Sequence, residues 1–191
     1  MKLVLATHNA HKVEELRRIL EPRLSGLELV GYDGPEPVED GVTFAENALI
    51  KARAAAAHTG LPALADDSGI CADALGGAPG IHSARYAGTR VDADNVAKLL
   101  SELGDTSDRA AQFVCAAALV HGEFERVELG VWPGSVLRAP AGSGGFGYDP
   151  IFQPEGYDVS AAQLSAAEKD AISHRRRAFS ALASTVLTRL G

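Results

Sequence analysis

Four polar clusters stand at the ends of apolar runs, where loops usually place binding groups. Thr7-His8-Asn9-Ala10-His11-Lys12 lies between a short apolar run and a stretch of helical spacing. Backbone N–H groups at a helix start, with a hydroxyl, an amide and an ammonium beside them, suit an anion such as phosphate. The same residues would also serve as an ordinary helix cap. Glu36, Glu39 and Asp40 form a second cluster and Asp66-Asp67-Ser68-Gly69 a third. Acidic pairs at strand ends are typical Mg²⁺ ligands, because that ion takes hard oxygens and keeps waters for phosphates and catalysis. Asp-Asp-Ser-Gly is equally a plausible solvated turn. The fourth cluster, Gly142-Ser143-Gly144-Gly145-Phe146-Gly147-Tyr148-Asp149-Pro150, brings an aromatic face and a carboxylate on flexible backbone. It satisfies G-x-G-x-x-G, but Pro150 disfavours the helix that a dinucleotide site requires. Lys169, His174, Arg175, Arg176 and Arg177 then concentrate cations near the C-terminus. With Ser173 as a cap, His174 and Arg175 fall in a first helical turn, poorly placed against the dipole unless an anion or carboxylate faces them.

The elements that must position these clusters are legible in outline. Leu3 to Ala6 has the form of a buried strand, and Val13, Leu16, Ile19 and Leu20 recur at helical spacing up to Pro22. Leu27 to Val30 predicts a second strand and Gly34 to Gly41 a loop. Thr43-Phe44-Ala45-Glu46 is a capping box before an Ala-rich helix that stops at Gly60, and Lys51 on that helix is either a further candidate phosphate contact or an ordinary solvated lysine. Ala63 to Ala65 predicts a strand that ends in the Asp66-Asp67-Ser68-Gly69 turn. Gly76 to Gly80 is irregular. Asp92 to Leu103 predicts a helix. Ala111 to Val120 and Phe124 to Trp132 flank His121-Gly122-Glu123 as an antiparallel hairpin, and a helical tail follows. Strands mixed with helices about a central hairpin predict an α/β domain with a mixed sheet.

Composition narrows the function classes. The chain has 191 residues, about one domain, with 46% hydrophobic and 23% charged residues, near the globular average. Eighteen Lys+Arg against 25 Asp+Glu give a net charge of −7, which argues against a nucleic-acid binder. Two cysteines, Cys71 and Cys115, suit buried thiols rather than a disulfide scaffold or a zinc knuckle. No run approaches the length of a membrane span, so a soluble, cytoplasmic protein is expected.

Taken together, the motifs resemble one family. They are Thr7-x-Asn9-x-x-Lys12, Thr43-Phe44-x-Glu46-Asn47-Ala48-x-x-Lys51-Ala52, Ala65-Asp66-Asp67-Ser68-Gly69, Gly76-Gly77-Ala78-Pro79-Gly80, Ser83-Ala84-Arg85-Tyr86, Gly144-Gly145-Phe146-Gly147-Tyr148-Asp149-Pro150 and Ser173-His174-Arg175. In this order they are similar to the inosine triphosphate pyrophosphatase (Ham1-like) family, over essentially the whole chain. The resemblance implies hydrolysis of noncanonical purine nucleoside triphosphates (dITP/ITP, XTP/dXTP) to the monophosphate and pyrophosphate. It implies a Mg²⁺-dependent homodimer and a single elongated α/β domain over residues 1–191, with two lobes, a long mixed sheet and a nucleotide cleft between the lobes.

Residue by residue, the resemblance places the phosphate loop on Thr7, His8, Asn9, Ala10, His11 and Lys12, with His8, Ala10 and His11 acting mainly through backbone. The metal carboxylates fall on Glu39 and Asp67, and the proton acceptor on Asp67. Lys51 and Ser68 match further substrate-side positions. Phe146, Gly147, Tyr148 and Asp149 match the base-binding strip, and Lys169, His174 and Arg175 complete the nucleotide site. Inosine and xanthine carry a 6-oxo acceptor where adenine carries an amino donor. Backbone N–H groups near His174, or the Arg175 side chain, are the expected donors to it. Asp66 remains an alternative to Asp67, and Glu36 and Asp40 lie close to Glu39. A Maf-like pyrophosphatase and a catalytically silent nucleotide-binding module are the competing readings.

Overall fold

The computed structural model describes residues 1–191. In chain order the elements are β1 (Lys2–Leu5), α1 (Ala10–Leu20), β2 (Glu28–Gly31), α2 (Phe44–Thr59), β3 (Ala63–Ala72) and α3 (Asp92–Leu103). There follow β4 (Ala110–His121), β5 (Phe124–Val136), β6 (Phe152–Pro154), α4 (Ala166–Ile172) and α5 (His174–Leu190). The strands are hydrogen-bonded in the order β2-β1-β3-β4-β5-β6. β1 runs parallel to both β2 and β3, whereas β5 and β6 are antiparallel, so the sheet is mixed as expected. No helix is long and apolar enough to cross a membrane.

The chain divides into two compact units. The first comprises Met1–Asp67, Cys115–Gly130 and Arg175–Gly191. Its strands are apolar on both faces because helices cover both. Leu3 and Leu5 of β1, with Leu64, Cys115, Ala117 and Leu119, pack against Leu16, Ile19 and Leu20 of α1 and against Phe179, Leu182 and Val186 of α5. The alternate residues Val4, Ala6, Ala63, Ala65, Ala116, Ala118 and Val120 face Ala48, Ala52 and Ala55 of α2. Alanines at that helical spacing let α2 lie close on the sheet.

The second unit comprises Ser68–Val114 and Val131–His174. Its core gathers Ile70 and Ala72 of β3, Val96 and Leu99 of α3, and the aromatic residues Phe113, Trp132, Tyr148 and Phe152. Phe113 meets Phe152 edge-on at 4.6 Å, and the His174 imidazole stacks on Phe113 at 4.7 Å. In the same unit Ser83 Oγ accepts from Ile70 N at 3.0 Å and donates to the Gly80 carbonyl at 2.7 Å. A Cβ built on Gly69 would press into both Ser83 Oγ and the Gly80 carbonyl oxygen. Gly69→Ala is therefore expected to lower stability by about 1–3 kcal/mol, the usual cost of overpacking, as measured by denaturant unfolding.

Two elements depart from their sequence reading. β3 does not stop at Ala65. It runs on through Asp66, Asp67, Ser68 and Gly69 to Ala72, so the expected turn is a strand. Turn propensity is local, and here the ladder and the cores on both faces override it. The helical tail also proves to be two helices, α4 and α5, broken at Ser173. Of the thiols, Cys115 is buried as expected and Cys71 half-buried.

Candidate active site

β1 ends beside the start of β3. Its last pairing is Leu5 with Leu64, after which Ala6 N donates to Leu64 O at 2.7 Å and the chain turns away. Past that point the Thr7–Lys12 loop replaces β1 as the neighbour of Asp66. In α/β sheets, ligands bind off the carboxyl ends of the strands, where such loops leave the sheet. Asn9 caps α1, its side chain accepting from Lys12 N at 3.2 Å, and Thr7 Oγ1 accepts from Asn9 N at 3.2 Å. Ala10 opens α1, and His11 is exposed on its first turn.

Successive strand residues point to opposite faces, and this separates the two aspartates. Asp66 shares its face with Leu64, toward α1 and α5. Its Oδ2 receives Lys12 Nζ at 3.0 Å and Arg175 Nε at 3.3 Å. Arg175 is itself only 2% exposed and also pairs with the buried Glu15 of α1. Burial alone would raise the Asp66 pKa, but Lys12, Arg175 and Lys51 hold it well below the usual carboxylate range. Burial likewise opposes the Arg175 charge, and Glu15 and Asp66 more than offset it. Asp66 is thus an internal tie that joins β3 to α1 and α5.

Asp67 faces the other way, toward α2. Lys51 Nζ lies 3.2 Å from its Oδ1, and Asn47 Nδ2 donates to its Oδ2 at 3.3 Å. The same ammonium is 2.8 Å from Glu39 Oε2. Burial, reinforced by Glu39, raises the Asp67 pKa against the pull of Lys51 and Lys12. For Lys51, burial lowers the pKa, but Asp67, Asp66 and Glu39 raise it overall. Two carboxylates converge on one cation here, which is the donor set that Mg²⁺ takes when substrate phosphates and waters complete its shell. Ser68 follows, half-buried.

In the second unit the Gly-rich strip is held firmly. Asp149 Oδ2 accepts from Phe146 N at 2.9 Å and from Lys169 Nζ at 2.6 Å, and that ammonium lies 4.8 Å from the centre of the Phe146 ring. Gly147 N donates to Asp92 Oδ2 at 2.7 Å. Tyr148 Oη donates to Ser83 O at 2.8 Å. Of the two rings expected to present a flat face, Tyr148 is a core residue, 5% exposed, while Phe146 is half-buried. His174 is 3% exposed, its ring committed to the aromatic core.

The sequence reading missed Glu15, Asn47 as a side-chain partner, and Asp92. Glu15 carried a usable signal. It falls inside the apolar stripe of α1, three residues after Lys12 and adjacent to Leu16, where an unpaired carboxylate would be costly.

Fold and site together define an α/β protein with acidic and basic side chains paired about the middle of one strand. The chain belongs to the Ham1 family, whose sequence profile matches residues 3–185. It is 58% identical over 186 residues to the dITP/XTP pyrophosphatase of Leifsonia xyli subsp. xyli, covering 95% of this chain and 94% of that one. It is 54% identical over 198 residues to the dITP/XTP pyrophosphatase of Streptomyces coelicolor, covering 100% and 99%. Among solved structures, the Staphylococcus aureus Ham1 protein superposes with a TM-score of 0.88 at 38% identity, covering 99% of this chain and 100% of that one. A nucleoside-triphosphatase/dITP/XTP pyrophosphatase from Mycobacterium abscessus gives 0.76 at 50% identity, covering 95% and 97%.

Proposed function

We propose that this protein hydrolyses deaminated purine nucleoside triphosphates, dITP/ITP and XTP/dXTP, to the monophosphate and pyrophosphate. The observation that carries this reading is the division of labour across β3. Asp66 is locked into a charge network, while Asp67 stands with Glu39 and Lys51 on the other face. The names of the relatives point to the same substrates.

Glu39 and Asp67 would hold Mg²⁺. When bound, the ion offsets phosphate charge and makes a coordinated water more acidic. The chain's own groups do the rest. Backbone N–H groups of the Thr7–Lys12 loop, with Lys12 and Lys51, bind the phosphates and balance an acidic protein. Asp67 orients the attacking water at the α-phosphorus and accepts its proton. Ser68 lies next in sequence as a substrate-side hydroxyl.

Base recognition falls to Phe146, Gly147, Tyr148 and Asp149, with Lys169 fixing the Asp149 carboxylate. Phe146 offers the stacking face, and Tyr148 anchors the strip. The Arg175 guanidinium faces Glu15 and Asp66. We therefore read backbone N–H groups near His174 as the donors to the 6-oxo group, leaving adenine's amino group opposite a donor and disfavoured. Residues 1–191 act as one functional domain in a cytoplasmic homodimer on this reading.

The test is pyrophosphate release from ITP, XTP, GTP, ATP and dTTP, with Mg²⁺ and with EDTA. Fast Mg²⁺-dependent release from ITP and XTP, with little from the others, is the expected outcome. Preference for a pyrimidine substrate would indicate a Maf-like activity instead. Tight ITP binding without turnover would make the protein a nucleotide sensor and remove the catalytic role of Asp67.

A further inference from the structure

We propose that His8, Tyr32 and His58 form an aromatic clasp that positions Glu39 and so sets the divalent-cation affinity of the site. This rests on the reading of Glu39 as a metal carboxylate. The Tyr32 ring is 8% exposed and lies 5.4 Å from the His8 ring and 5.8 Å from the His58 ring, centre to centre. Those residues come from three elements. His8 belongs to the phosphate loop, Tyr32 follows β2, and His58 lies on the last turn of α2.

The clasp grips the backbone that leads to Glu39. His8 Nε2 lies 2.9 Å from the Gly34 carbonyl oxygen, and the Tyr32 hydroxyl donates to the Pro35 carbonyl at 3.0 Å. The fit at Gly34 is so close that a Cβ there would stand 2.5 Å from the Tyr32 hydroxyl and 2.6 Å from His58 Cδ2. The far end of the same loop is fixed independently. Gly41 N donates to Asn47 Oδ1 at 2.9 Å and Val42 N to Glu46 Oε2 at 2.7 Å. Only residues 36–40 bridge the two anchors, and Glu39 is among them. Its carboxylate reaches Lys51, which also holds Asp67.

Without the clasp the ties that hold Gly34 and Pro35 are lost, and the chain between the end of β2 at Gly31 and Gly41 is fixed less closely. Loop-closure cost rises slowly with length, by about threefold in closed population per doubling. Residues that orient metal ligands typically change affinity by about 10-fold or more. The expected effect lies between these.

Mn²⁺ is the probe, titrated into the full-length protein without nucleotide and followed by the electron-spin-resonance signal of the free ion. Tyr32→Leu is expected to weaken Mn²⁺ binding by about three- to tenfold, and Tyr32→Phe, which loses only the hydroxyl tie, by about twofold. His8→Ala removes the Gly34 tie and should weaken binding comparably to Tyr32→Phe. The Mg²⁺ half-saturation of turnover should rise with Tyr32→Leu, with kcat at saturating Mg²⁺ largely recovered. Glu39→Gln tests the underlying reading, and the Tyr32→Leu/Glu39→Gln pair tests the connection, because the Tyr32 effect should vanish once Glu39 is gone.

Wild-type affinity in Tyr32→Leu, alongside a weakened Glu39→Gln, overturns the clasp and leaves the metal carboxylate standing. A Tyr32→Leu loss that persists in the Glu39→Gln background also overturns it, since Tyr32 then acts by another route. Wild-type affinity in Glu39→Gln overturns the metal reading of Glu39 itself. If Tyr32→Leu fails to fold, Tyr32→Phe and His8→Ala decide the question alone.

Discussion

Asp67→Asn is expected to abolish pyrophosphate release, lowering kcat by about 10³-fold, within the range for loss of a positioned base. The fold should survive. Asn47 already offers Asp67 an amide donor, and Lys51 keeps Glu39 as a partner after the change. Burial raises the Asp67 pKa, so its charge is a burden on the folded state rather than a support. A group raised in this way favours folding while protonated and loses that contribution as pH climbs through its folded value. At neutral pH the neutral amide should therefore cost less than about 1 kcal/mol, a Tm change within about 4 °C. Thermal melts beside steady-state kinetics check both halves. Near-wild-type kcat would move the base to another residue.

The reverse pattern is expected at Arg175. It is among the largest fully buried side chains, and it neutralises two carboxylates, Glu15 and Asp66, that are themselves 2% and 1% exposed. Removing one partner of a buried ion pair leaves uncompensated charge and costs about 3–5 kcal/mol. Arg175→Ala should accordingly lower Tm by about 10 °C. The loss should carry over to inactive nucleotide complexes, because it belongs to the fold of the first unit. A melt within 2 °C of wild type, combined with a collapsed ITP/ATP ratio of kcat/KM, would instead assign the guanidinium to the base, about as small a Tm effect as a surface change gives.

Much of the scaffold was legible in the residues. The strand-loop-helix opening, the capped α2, the β4–β5 hairpin and α3 all rest on local signals, and local signals survived. The Asp66-Asp67-Ser68-Gly69 segment did not read correctly, because a stretch rich in turn formers becomes strand only through pairing with distant residues. That single error kept the two aspartates inseparable. In a turn their roles are interchangeable, whereas in a strand alternation assigns them. The ties of Glu15 to Arg175 and of His8 to Gly34 span most of the chain or join separate elements, and no spacing rule reaches them. Phe146 and Tyr148 are equivalent by position in a Gly-rich run; the partners that tell them apart, Lys169 over one ring and the Ser83 carbonyl at the other's hydroxyl, lie far off in sequence.

The alternation at Asp66 and Asp67 has a consequence for heredity. Two adjacent codons carry separable phenotypes. Substitutions at the first should surface as thermolabile protein with reduced abundance. Substitutions at the second should surface as abundant, inert protein. A one-residue insertion or deletion just upstream in β3 would exchange the two faces and produce both defects at once.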